Sequence, residues 1–141
     1  MAKILVVDDD PGMREMLQSL LMEEGYDVTS IGDPVVALDL CREKPFDVVI
    51  TDLKMPKIDG IELLKSIKNQ RPETIVILMT AYASGEPASN AMKEGAYDYI
   101  EKGNIHDEIR TVVHTALMSK GLISDDPAGE KSNSIYEDKG L

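Results

Sequence analysis

Four short apolar runs in this 141-residue chain each end on a polar group suited to chemistry. Ile4-Leu5-Val6-Val7 runs into Asp8-Asp9, and Val48-Val49-Ile50-Thr51 runs into Asp52. Ile75-Val76-Ile77-Leu78-Met79 runs into Thr80, and Tyr97-Asp98-Tyr99-Ile100-Glu101 runs into Lys102. If the runs are parallel strands, all these groups emerge at one carboxyl-end edge, where open α/β sheets build their ligand sites. Few folds satisfy that constraint, and it names a place and a chemistry together.

The segments between the runs carry helical signals. Asp10-Pro11 and Asp33-Pro34 each read as an N-cap followed by proline at the first helical position. Met13, Met16, Leu17, Leu20 and Leu21 then recur on one helical face, and Gly25 is placed to close that helix. Val36, Ala37, Leu40 and Cys41 mark a second helix, and Ile61, Leu64 and Ile67 a third. A fourth helix is expected over 86–94, with Pro87 confined to its first turn and Ser89-Asn90 diluting its apolar face. Ile105, Ile109, Val112, Val113 and Ala116 make a fifth. Strands are expected at 4–7, 27–31, 47–51, 75–79 and 98–101. Five strand–helix pairs with short connections predict an α/β domain, a parallel sheet covered by helices on both faces. The periodicity stops near Gly121, so residues 1–120 are read as one domain and 121–141 as a polar linker or disordered tail.

Composition narrows the function classes. The chain carries 26 acidic against 15 basic residues, a net charge of −11, and no basic stripe. Direct nucleic-acid binding by this chain is therefore not expected. No apolar stretch approaches the roughly 20 residues that cross a bilayer, and the start lacks the apolar region of a signal peptide. A cytoplasmic protein without membrane contact is the expectation. Cys41, the single cysteine, falls on a helical apolar stripe and reads as a core residue. The eight methionines are expected mainly on helical core faces. His106 and His114 are eight apart in one helix, without the spacing of a zinc site.

Carboxylates gathered at one edge repel one another unless a cation shares the site. A hard divalent ion with oxygen ligands, Mg²⁺ foremost, resolves that repulsion. Lys102 adds a fixed positive charge and Thr80 a hydroxyl donor. These are the parts that phosphoryl transfer requires, and a carboxylate can itself be the acceptor, giving an acyl phosphate. Asp10 and Asp59 read instead as helix caps, and Pro56 and Gly60 as residues shaping the turn beside Asp52.

Four segments together resemble one family. They are Ile4 through Pro11, Thr51-Asp52-Leu53-Lys54-Met55-Pro56-Lys57-Ile58-Asp59-Gly60, Leu78-Met79-Thr80-Ala81-Tyr82, and Gly95-Ala96-Tyr97-Asp98-Tyr99-Ile100-Glu101-Lys102. In this order and spacing they resemble the receiver domain of two-component response regulators over residues 3–118. The segments Thr80-Ala81-Tyr82 and Ala91 through Tyr99 resemble receivers attached to AAA+ enhancer-binding transcription activators. The resemblance implies a flavodoxin-like doubly wound five-stranded parallel sheet in the order 2-1-3-4-5. It implies that Asp52 is the phosphoacceptor, served by a sensor histidine kinase or a phosphotransfer protein. Asp8, Asp9, Asp52 and the backbone carbonyl of Lys54 would hold Mg²⁺. Thr80, with the Ala81 amide, would grip a phosphoryl oxygen and Lys102 would pair with the phosphoryl group. Thr80 and Tyr99 would form the switch, Tyr99 turning inward as Thr80 shifts. Lys54 and Tyr82 would flank the site and tune water access.

One departure stands out: Gly103 follows Lys102, where the family's motif usually has proline. A trans bond or a looser loop is expected there.

Three functional readings follow. The first is a phosphorylation-operated switch whose only catalysis is self-directed, with dimerisation on phosphorylation as one output. The second is a pseudo-receiver that binds partners without phosphorylation. The third is a Mg²⁺-dependent aspartyl-phosphate phosphohydrolase, which Asp8-x-Asp10 superficially fits. Pro11-Gly12 and the short chain speak against the third, and the complete set Asp8, Asp9, Asp52, Thr80 and Lys102 against the second.

Overall fold

A computed structural model of the chain describes residues 1–81 and 86–123. The expectations for Tyr82 and for the segment from Ser124 onward lie outside the described residues. The elements run β1 (Lys3–Val7), α1 (Pro11–Glu23), β2 (Asp27–Ile31), α2 (Pro34–Glu43), β3 (Val48–Asp52) and α3 (Gly60–Gln70). They continue with β4 (Ile75–Thr80), α4 (Glu86–Lys93), β5 (Asp98–Glu101), a 3₁₀ turn over Lys102–Asn104, and α5 (Ile105–Ser119). All strand pairs are parallel and the order is β2-β1-β3-β4-β5, as expected.

The central strands β1, β3 and β4 are apolar on both faces because helices cover both sides of the sheet. Ile4, Val6, Val48, Ile50, Ile77 and Met79 face α1 and α5, meeting Leu17, Leu21, Ile109 and Val113. Leu5, Val7, Val49, Val76 and Leu78 face the opposite layer, meeting Ala37, Cys41, Leu64, Ile67 and Ala91.

Local chemistry starts and stops the helices. Asp10 and Asp33 accept from the amides of Gly12 and Val35, and proline opens each helix that follows. Asp59 and Glu62 form a reciprocal capping box at the start of α3. Helix α1 ends where Gly25, at φ +88°, donates to Met22 O while Tyr26 donates to Leu21 O, a Schellman arrangement. Asp10 and Asp59 are thus caps, as the sequence suggested.

Methionine placement departs from expectation. Met79 alone is fully buried, and it lies in β4 rather than on a helix. Met13 and Met16 pack half-buried against the core, whereas Met22 and Met92 are 56% and 44% exposed. Unbranched and polarizable, methionine fills margins as readily as cores, so its count says little about burial. Cys41 is buried, and burial pushes its thiol up to about 11, which leaves it unreactive. His106 is exposed beside Asp107 and His114 is half-buried in α5.

Candidate functional site

The strand register brings the polar strand ends together. Val7 pairs with Thr51, Asp52 with Met79, and Thr80 with Glu101. Asp8, Asp52, Thr80 and Lys102 therefore surface side by side at the carboxyl-end edge. Asp52 and Thr80 belong to the hydrogen-bonded ends of β3 and β4 rather than to the loops after them, a residue beyond the predicted boundaries. Their backbones are accordingly held by the sheet itself.

Asp8, Asp52 and Thr80 are buried, at 0%, 7% and 7% exposure, while Asp9 is exposed. Carboxylate oxygens of Asp8, Asp9 and Asp52 lie within 4.8 Å of one another. The Lys102 ammonium sits 3.0 Å from Asp52 Oδ2, to which it donates, and 3.0 Å from Asp8 Oδ2. The contact with Asp8 is a buried ion pair. The other oxygen, Oδ1, accepts from the Asp10 amide at 2.9 Å. The Lys54 amide donates to Asp52 Oδ1 at 3.3 Å. A cavity of about 160 Å³ opens onto these groups, lined by Asp52, Leu53, Lys54, Thr80, Ala81 and Lys102.

The electrostatics follow from this crowding. Burial lifts the Asp8 carboxyl above the ordinary carboxylate range; the Asp52 charge adds to the lift, and the Asp10 amide and Lys102 oppose it. Burial alone would lower the Lys102 pKa, but hydrogen bonds and charges from Asp52 and Asp8 outweigh it and hold the ammonium above its usual value.

Three converging carboxylates, two of them buried, form an all-oxygen donor set that suits a hard divalent cation. The residues present fit such an ion.

Backbone packing sets where Asp52 points. Gly60 donates its amide to Leu53 O at 2.8 Å, and a Cβ built on it would lie 2.5 Å from Asp52 O and 2.7 Å from Leu53 Cα. Gly60 is the residue that lets α3 start directly against the end of β3. In the same loop Lys57 takes a left-handed conformation (φ +73°) and donates to Asp33 Oδ2 at 3.0 Å. Tyr99 is half-buried in β5 and packs against the layer containing Leu78, Ala91 and Ala96. The Lys102–Gly103 bond is trans, and the tight turn over Lys102–Asn104 closes when the Ile105 amide donates to Lys102 O. The junction is therefore an ordered turn rather than a loose loop.

Arg14 was not singled out from the sequence, yet its guanidinium donates to Asp8 O at 2.7 Å. It lies on the polar side of α1, where nothing in the residue pattern distinguishes it from a solvated arginine.

Known proteins agree with the geometry. The family model for the response regulator receiver domain matches residues 4–114. The chain is a response regulator receiver domain. It is 40% identical over 131 residues to the transcriptional regulatory protein ZraR of Klebsiella oxytoca, covering 90% of this chain and 30% of that protein. The receiver thus spans less than a third of that relative's length. A crystal structure of a response regulator receiver domain protein from Clostridium thermocellum superposes with a TM-score of 0.81 at 34% identity. That superposition covers 88% of this chain and 100% of the other. The receiver domain of a Pseudomonas aeruginosa PAO1 sensor histidine kinase shares the fold (TM-score 0.76, 24% identity, 83% of this chain and 98% of the other), and there a magnesium ion is coordinated in the active-site cleft. Among the described residues, no helix is long and apolar enough to cross a membrane.

Proposed function

We propose that Asp52 accepts a phosphoryl group from a phosphohistidine of a sensor kinase or phosphotransfer protein, and that the resulting charge resets the surface built by β5 and its flanking helices. The observation that carries this reading is Lys102 held 3.0 Å from both Asp8 Oδ2 and Asp52 Oδ2, at the mouth of a cavity that Thr80 also lines. A carboxylate oxygen of Asp52 forms the new bond to phosphorus as the phosphorus–nitrogen bond breaks and the imidazole leaves. Asp8, Asp9, Asp52 and the Lys54 carbonyl would hold Mg²⁺, which when bound would neutralise the charge of the transferring phosphoryl group. Lys102 exchanges its pairing with Asp52 Oδ2 for a phosphoryl oxygen, and Thr80 with the Ala81 amide donates to another.

Thr80 lies two residues along β4 from Leu78, the strand partner of Tyr99, and so on the same face of the sheet, which lets a shift at Thr80 reach Tyr99. Phosphorylation then shifts the balance between two surface states rather than creating one. The receiver's chemistry is confined to its own acylphosphate, taken up and later hydrolysed. Its output is a partner, a second copy of the chain or an attached region acting in transcription, in keeping with the names of the longer relatives. A cytoplasmic location follows from service to a sensor kinase.

A beryllofluoride phosphoryl mimic tests the switch. With Mg²⁺ present, amide resonances of Thr80, Ala81, Tyr99 and Lys102 should shift in wild type and stay fixed in Asp52→Asn. Shifts that persist in Asp52→Asn would refute the assignment.

A further inference from the structure

The Asp8–Asp9 peptide carries two of the three converging carboxylates, so its orientation decides whether they point at one place. Two contacts hold its flanks, the Asp8 amide donating to Ile31 O at 3.2 Å and the Asp10 amide to Asp8 Oδ1 at 2.9 Å, and a third, Arg14 Nη1 donating to Asp8 O at 2.7 Å, holds the peptide itself. The first two come from neighbouring backbone. The third comes from a side chain anchored on α1, which therefore couples the helix to the acidic turn.

Gly32 explains how that side chain is seated. Its φ lies in the ordinary range, so the backbone does not require glycine there. A Cβ at Gly32 would instead sit 2.7 Å from Arg14 Nη1 and 3.3 Å from Cζ. The missing side chain is the space into which the guanidinium fits.

We propose that Arg14, seated in the space left by Gly32, is a positioning residue for the divalent cation: it holds the Asp8–Asp9 peptide so that both carboxylates converge. This rests on the reading of the three carboxylates as the cation site. Arg14 acts through the Asp8 carbonyl rather than on the ion. Its charge and its contact consequently have opposite effects. A cation near a divalent ion weakens binding by repulsion, whereas a pinned ligand frame strengthens it.

That opposition makes a Mg²⁺ titration by calorimetry decisive, with melting curves in metal-free buffer alongside. Arg14→Gln should raise the dissociation constant about tenfold, the lower end of what lost support for a metal ligand costs. Gly32→Ala keeps the charge and collides only with the far end of a flexible side chain, so it should fold with a near wild-type melting temperature. It should still weaken Mg²⁺ binding severalfold by pushing the guanidinium off Asp8 O. The double variant should bind no more weakly than Arg14→Gln, because both changes break one contact. Tighter or unchanged binding in Arg14→Gln, unchanged binding in Gly32→Ala, or additive losses would each overturn the proposal. Should Arg14→Gln fail to fold, Gly32→Ala decides the matter alone. Absence of Mg²⁺ binding by the wild type would instead refute the cation site itself.

Discussion

Replacing Gly60 by alanine perturbs the phosphoacceptor without touching its side chain. The added methyl would stand 2.5 Å from Asp52 O and 2.7 Å from Leu53 Cα, against 3.4 Å for ordinary contact. The groups must part by about 0.9 Å, and both neighbours are backbone atoms in or beside β3. Overpacking of this kind costs ~1–3 kcal/mol. Alanine's better helix propensity at the first position of α3 returns up to ~1 kcal/mol. The net loss of up to about 3 kcal/mol corresponds to a melting temperature lower by up to roughly 10–15 °C for a domain of this size. The same shift moves Asp52 relative to Lys102, with which it makes a 3.0 Å hydrogen bond. A misplacement near 1 Å at a reacting group costs on the order of a hundredfold in rate. Phosphoryl uptake from a small donor, followed by intact mass over time, should therefore slow at least tenfold. Wild-type melting together with a wild-type uptake rate would refute the claim that Gly60 sets the position of Asp52.

The acidic site should also leave a signature in stability against pH. Asp8 is held above its ordinary pKa of 3.8, so the folded state binds the proton more tightly than the unfolded chain. Its contribution must fall as pH rises from about 3.8 through the folded value. In metal-free buffer, the melting-temperature advantage of Asp8→Asn over wild type should grow as pH rises from about 3.8 through the folded value; parallel curves would count against a buried Asp8 with a raised pKa. Saturating Mg²⁺ should reverse the wild-type slope, because the ion binds the ionised carboxylates. Gly103 tests whether the residue after Lys102 matters. A Cβ there meets nothing within 4 Å and φ is ordinary, so Gly103→Ala should stabilise by ~0.5 kcal/mol with unchanged phosphoryl uptake. Loss of uptake would mean that glycine's freedom is used.

The sheet and the site were legible for a common reason. A buried parallel strand is largely apolar, and a polar residue at its carboxyl end marks the sheet edge; Asp8, Asp52 and Thr80 carried that mark, while Lys102 followed a shorter strand already polar at Asp98 and Glu101. Caps Asp10 and Asp33 were equally visible because proline follows each, and Asp59 was read as a cap whose partner Glu62 the structure supplies. Arg14 and Gly32 were not. An arginine on the polar side of a helix looks like any solvated arginine, and a glycine with ordinary φ gives no hint that its value is empty space. Methionines misled for a related reason: hydrophobicity without shape does not say whether a residue is inside. Strand ends slipped by one residue because Asp52 and Thr80 are polar yet still paired in the sheet.

The central claim is that Asp52 takes up one phosphoryl group with the help of a divalent ion. Intact mass spectrometry after incubation with a small phosphodonor measures this directly, with and without Mg²⁺, for wild type and Asp52→Asn. The wild type should gain the mass of a single phosphoryl group only when Mg²⁺ is present, and Asp52→Asn should gain none. No gain by the wild type, or an equal gain by Asp52→Asn, would contradict the account.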